Sequence, residues 1–168
     1  MQNHQDQPKI FIVDNMLKGL ARWLRFLGFD AHMSENVDEA KNILNSIDHS
    51  VFITASPAHK QKIGSTHTIL LQSDHIEAQL NELNEIFHIF DYLHILSLCS
   101  ICNTLLQSIG KEQVKDKVPE KVYHSFRTFY QCPRCNRIYW YGGHVKRLLD
   151  KLKRMNVPVD NSKTGISE

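Results

Sequence analysis

All four cysteines fall within 37 residues, as Cys99-Ser-Ile-Cys102 and Cys132-Pro-Arg-Cys135, with 29 residues between the pairs. A fold that contains this stretch must bring the two short loops together or leave four thiols idle. Paired Cys-x-x-Cys loops at such a separation each present two sulfurs to one side of an ion, the spacing of a tetrahedral four-cysteine zinc site. Two disulfides are the competing arrangement. Residues 1–8 are polar and lack the apolar centre of a signal peptide, which points to the cytoplasm, where thiols stay reduced. Zinc is the expectation. A closed site of four thiolates leaves no open coordination position, so this zinc is structural, and function is to be sought elsewhere.

The 168 residues suffice for one ordinary domain with a metal-stapled extension, and 42% hydrophobic residues support a core. No apolar run is long enough to span a bilayer, so no membrane partner is expected. The formal net charge of +2 hides a segregation. Residues 29–98 carry ten Asp or Glu against three Lys or Arg, whereas residues 99–155 carry twelve Lys or Arg against four acids. A basic surface attracts a phosphate backbone and an acidic cluster can hold a divalent cation. Solvated surface without a partner is the plainer reading of the same charges.

Along the chain, short β-rich runs alternate with helical patterns. Lys9 to Val13 reads as a buried parallel strand ending in Asp14. Met16, Leu17, Leu20, Ala21, Leu24 and Leu27 then recur at helical spacing up to Gly28, with Lys18, Arg22 and Arg25 as a basic stripe on another face. Phe29 to Met33 is the next strand. A helix from Val37 to Ile47 follows, with Asn36 as its cap and Glu39 completing a capping box. Val51 to Thr54 and Thr68 to Leu71 are further strands, the first followed by a brief helix at Pro57, the second by a helix from Asp74 through Ile86. This alternation indicates an α/β domain around a parallel sheet flanked by helices, whose ligands gather at the carboxyl ends of the strands. Asp14 and Asp74 lie just beyond strand ends, and Asp38 opens a helix after one. In the cysteine region, Pro119 opens a helix that carries Val122, Tyr123, Phe126 and Phe129 towards a core; Ile138 to Tyr141 is a strand and His144 to Met155 a basic helix. The expected units are a disordered stretch 1–8, an α/β domain 9–94, a ribbon with flanking helices 95–155, and a disordered tail 156–168.

Two long motifs carry a resemblance. Met16-Leu17-Lys18-Gly19-Leu20-Ala21-Arg22-Trp23-Leu24-Arg25-Phe26-Leu27-Gly28-Phe29-Asp30 resembles the opening of the Mut-seven C-terminal RNase domain family, PIN-like nucleases fused to a zinc ribbon. Cys99-Ser-Ile-Cys102-Asn103, Val118-Pro119-Glu120-Lys121-Val122-Tyr123 and Cys132 through His144 resemble that family's ribbon. The likeness runs from about Lys9 to Leu149. It implies a PIN-like fold, a partner in single-stranded RNA, and hydrolytic ribonuclease activity that depends on Mg²⁺ or Mn²⁺ held by Asp14, Asp38 (with Glu39 as its rival) and Asp74. Lys18, Arg22, Arg25, Arg134, Arg137, Lys146 and Arg147 would hold RNA. One departure stands out. After the third strand the family shows Leu-Thr-Arg-Asp, but here the residues are Ile53-Thr54-Ala55-Ser56. A hydroxyl is a far poorer ligand than a carboxylate for a hard cation, so cleavage is expected to be weakened, or lost in favour of an RNA-binding or protein-interaction module. His59 and His144 read as surface histidines. Trp23, Tyr139 and Trp140 read as packing residues on the sheet or ribbon, with stacking on bases as the alternative.

Overall fold

The computed structural model describes residues 10–159; the expected disordered stretch 1–8 and residues 160–168 of the tail lie outside the described residues. Four parallel strands form the first sheet in the order β2-β1-β3-β4: β1 Ile10–Asp14, β2 Asp30–Ser34, β3 Ser50–Thr54 and β4 Thr68–Leu70. Between them run α1 Lys18–Leu27, α2 Val37–Ser46 and α3 Pro57–Ile63, and α4 Ile76–Phe87 follows β4. A second, antiparallel sheet is formed by β5 Gln107–Ile109, β6 Phe129–Gln131 and β7 Ile138–Tyr139, with the short helix α5 Glu120–Ser125 between β5 and β6. The last helix is α6 Gly143–Arg154. Among the described residues no helix is long and apolar enough to cross a membrane.

Strand side chains alternate between the faces of the first sheet. Phe11, Val13, Val51 and Ile53 turn to the layer that contains Leu20, Leu24, Leu80 and Leu83 of α1 and α4. Ile12 and Phe52 turn to the layer of α2 and α3, against Ala40, Ile43 and Ile63. Val145, Leu149 and Leu152 of α6 and Val157 beyond it join the core of the α1–α4 layer, so the chain returns from the ribbon to its starting helix. Residues 156–159 of the expected tail thus include a buried side chain.

Three sequence expectations are corrected. The helix after β4 does not begin at Asp74: His75 precedes its first turn without a capping side chain, and Asp74 is exposed. Glu39 does not close a capping box on Asn36; Asn36 accepts the Glu39 N–H, but the Glu39 carboxylate reaches one residue further, to the N–H of Glu35 at 2.7 Å. The helix after Pro119 ends at Ser125 and buries none of its residues, and the residue that reaches a core is Phe129, in β6. Proline starts that helix as expected, but the chain leaves helical geometry before the apolar stripe is complete.

The connection from α4 to the ribbon explains a glycine. Gly28 ends α1 with φ of 97°, and its N–H bonds back to Arg25 O at 3.0 Å. The linker crosses directly over it, His94 N–H bonding Leu27 O at 2.8 Å, so that a Cβ on Gly28 would stand 2.5 Å from His94 O. Strain at positive φ and a backbone clash add here. Gly28→Ala is therefore expected to cost about 2–4 kcal/mol, read as a lower urea midpoint with an unchanged slope.

Candidate metal centre and nucleic-acid interface

The two cysteine loops meet. All four Sγ atoms lie within 4.8 Å of one another, and Cys99 Sγ to Cys135 Sγ is 3.7 Å. None is in a disulfide. Four thiolates about 2.3 Å from a tetrahedral ion would stand about 3.8 Å apart, so the donor set fits zinc in kind and in spacing. Each pair is followed by asparagine, and both asparagines take the left-handed conformation, Asn103 at φ 57° and Asn136 at φ 60°. Their N–H groups close the turns on Cys99 O and Cys132 O at 2.9 Å. Asparagine tolerates that region better than other side-chain-bearing residues. The repeated Cys-x-x-Cys-Asn is thus one turn used twice.

The first loop is seated on the edge of the parallel sheet. Asn103 Oδ1 accepts the N–H of Ala31 in β2 at 3.1 Å, and its Nδ2 donates to Asp30. Arg25 completes the seat: its Nε donates to Ala31 O at 2.8 Å, and its Nη1 donates to Ser100 O and Ile101 O at 3.1 and 2.9 Å. Arg25 is only 6% exposed. Burial lowers its pKa from the usual value, partly opposed by the nearby sulfurs and Asp30. A side chain whose donors are held by three backbone carbonyls positions the ribbon, whereas the stripe on α1 had placed Arg25 on RNA.

Of the other expected RNA-binding residues, Lys18, Arg22 and Arg134 are exposed and line one groove of about 630 Å³ with His32 and the loop Ser100–Thr104. Arg25 and Glu35 line it too. Arg137 opens instead on a separate cleft with Lys117 and Trp140, and Lys146 and Arg147 are exposed on α6. The expected basic track is divided.

The strand-end acids come from different elements. Asp14 is 6% exposed, and one of its oxygens, Oδ2, takes two short bonds, from Thr54 Oγ1 and from His59 Nδ1, both at 2.6 Å. Thr54 Oγ1 in turn accepts the Ser56 N–H at 3.0 Å, and Ser56 caps α3 by accepting the His59 N–H at 3.3 Å. Asp14 has the structural task that the sequence did not reveal: it ties β1 to β3 and α3. His59, read as a surface residue, is its partner; the signal was its place one turn into the helix that follows Thr54. Asp14 and Thr54 share sheet faces with Ile12 and Phe52, on the α2–α3 side. Asp74 lines a groove of about 460 Å³ with Leu20, Leu71 and Ile76 of the opposite layer, and Asp38 is exposed on the first turn of α2. Glu35, which sequence reasoning passed over, follows Ser34, the register partner of Asp14, and accepts from Asn15 Nδ2 at 2.8 Å. Among the described residues, the cysteines alone form a group of three or more metal-ligating side chains within 4.8 Å. Asp14, Asp38 and Asp74 do not form such a group.

A model of the Mut7-C RNAse domain matches residues 9–152. No curated protein matches the chain.

Zinc affinity should depend steeply on pH, because thiolate and not thiol is the ligand. Burial raises the Cys99 pKa, but hydrogen bonds to its sulfur from Tyr139 and from backbone N–H groups outweigh it and hold it at about 7. Cys102, which shares a hydrogen bond with Cys135, is pushed up to about 12, and burial raises Cys132. Zinc must displace at least the latter two protons near neutrality, so affinity rises with pH, by about 100-fold per unit for two protons. Competition with a chromophoric chelator at pH 7 and 8, corrected for the chelator's own protons, measures this; a pH-independent affinity would contradict it.

Proposed function

This chain belongs to the Mut7-C RNAse domain family, and we propose that it binds single-stranded RNA in the groove between α1 and a zinc-stabilised ribbon, with its strand-end centre held by protein bonds rather than built for metal-dependent cleavage. The carrying observation is that Lys18, Arg22 and Arg134, from distant parts of the chain, line one groove. A phosphodiester backbone offers a negative charge per residue, and lysine and arginine neutralise it with release of counterions. Arg22 and Arg134 add planar donors that meet phosphate oxygens in pairs.

Three features support the second half of the reading. Ser56 replaces the family's carboxylate and has its hydroxyl engaged at the start of α3. Asp14 is already bonded by His59 and Thr54. Asp38 and Asp74 are both exposed, the latter 3.5 Å from His75. A metal-dependent ribonuclease remains the second reading, favoured by the place of Asp14 at the carboxyl end of a central parallel strand, where ligands of such sheets gather. Its Mg²⁺ or Mn²⁺ would neutralise the scissile phosphate and activate water.

Fluorescence anisotropy with a labelled oligouridylate tests the proposal. Three phosphate contacts on a single strand give a logarithmic salt slope of about −2, a loss of roughly 15- to 20-fold between 50 and 200 mM salt. With the structural zinc in place and no chelator present, affinity should be the same with and without added Mn²⁺, and Asp14→Asn should bind as wild type does. Cleavage by wild type in Mn²⁺ that Asp14→Asn lacks would establish the enzyme instead.

A further inference from the structure

The basic groove does not end at the ribbon. Arg22, Ser100 and Ile101 line it and also line a second cavity of about 360 Å³ between α1, the first cysteine loop and α6. The walls of that cavity are apolar and aromatic: Trp23 and Phe26 of α1, Leu98 before the loop, Tyr139 of β7, and Val145 and Leu148 of α6. Two of these walls are stiff. Trp23 stands edge-on to Phe26 at 5.7 Å and 87°, with Lys151 Nζ 5.6 Å from its ring. Tyr139 is fixed through its hydroxyl, 3.0 Å from Cys99 Sγ. The polar side chains at the mouth are Arg22 and His144, both exposed. A small, largely preformed apolar cavity with a few polar groups at its rim is the ordinary form of a small-molecule subsite.

We propose that this cavity receives one nucleobase of a bound single strand while Arg22 and the adjoining groove hold the neighbouring phosphate. The occupant follows from the pairing of the two cavities. A nucleotide joins a flat, weakly polar ring to an anion through one ribose, and Arg22 stands where the two chemistries meet. An apolar peptide side chain or an acyl chain would fill the cavity but leave Lys18, Arg22 and Arg134 without a counterpart. The ligand is thus a base-bearing polynucleotide, read partly by its base and not by its backbone alone. The inference rests on the RNA binding proposed above.

The test uses the full zinc-loaded chain and two labelled octaribonucleotides, one an oligouridylate and one with the same backbone but abasic at every position. The base-bearing strand should bind about tenfold or more tightly, the scale of one base held against apolar and aromatic walls. Leu148→Gln, which changes a half-buried cavity wall away from the phosphate groove, should remove most of that difference and leave the affinity for the abasic strand unaltered. Equal binding of the two strands by wild type would overturn the base pocket while leaving backbone binding intact, as would a Leu148→Gln protein that retains the full difference. Failure of either strand to bind at low salt would overturn the pocket together with the RNA reading. Zinc content and the urea midpoint of Leu148→Gln show whether the variant is folded; if it is not, Leu148→Met, which keeps the wall apolar, should retain the preference, and Leu98→Gln takes its place as the polar variant.

Discussion

The seating of the ribbon on the edge of the parallel sheet depends on one buried guanidinium. Arg25 spans from Ala31 O in β2 to Ser100 O and Ile101 O in the first cysteine loop, and Asn103 of that loop answers with a bond from the Ala31 N–H. Both backbone groups of one edge-strand residue are thereby covered, at the position where an open sheet is most prone to pair with another chain. Removing the arginine would take the donor from three carbonyls, the Ala31 O bond being the buried one, a cost of the kind charged hydrogen bonds carry. The junction also determines what the surface can do. It brings Arg134 of the second loop into the same groove as Lys18 and Arg22 of α1.

Much of this was legible in the chain, for reasons that differ by element. The parallel sheet followed from short β-branched runs alternating with helical periods, and its four strands fall within one or two residues of the expected places. The cysteine cluster followed from spacing alone, because a Cys-x-x-Cys loop has few other uses. Arg25 was misplaced because helical spacing assigns a residue to a stripe without saying what lies opposite the stripe. Its neighbours in space, Ser100 and Ile101, are 75 and 76 residues away. The short helix at Pro119 was overextended because a run of aromatic residues at helical spacing is equally consistent with a helix end followed by a strand, as Phe129 in β6 demonstrates.

Asp14 illustrates the harder case. A strand-end carboxylate before a turn looks functional because its local sequence gives it nothing to bind. Its partners, Thr54 and His59, come from the next strand inward and the helix after it, 40 and 45 residues on. The substitution of serine for the family's acid at position 56 and the presence of histidine three residues later belong together in the structure: the serine caps the helix that delivers the histidine to Asp14. Asp14 and Thr54 lie on the α2–α3 face of the sheet, and Asp74, beyond the end of β4, lines a groove that also includes Met16 and Ala55. The exposed groove where helix and ribbon meet is mostly basic, with Glu35 among its lining.

Salt dependence measured on single and double variants tests the shared groove most directly. Lys18→Gln on α1 and Arg134→Gln on the ribbon should each weaken oligouridylate binding and lower the magnitude of the salt slope by about 0.7, with the double variant losing both contributions. A protein in which only one of the two residues matters, or neither, would contradict an RNA path lined by helix and ribbon together.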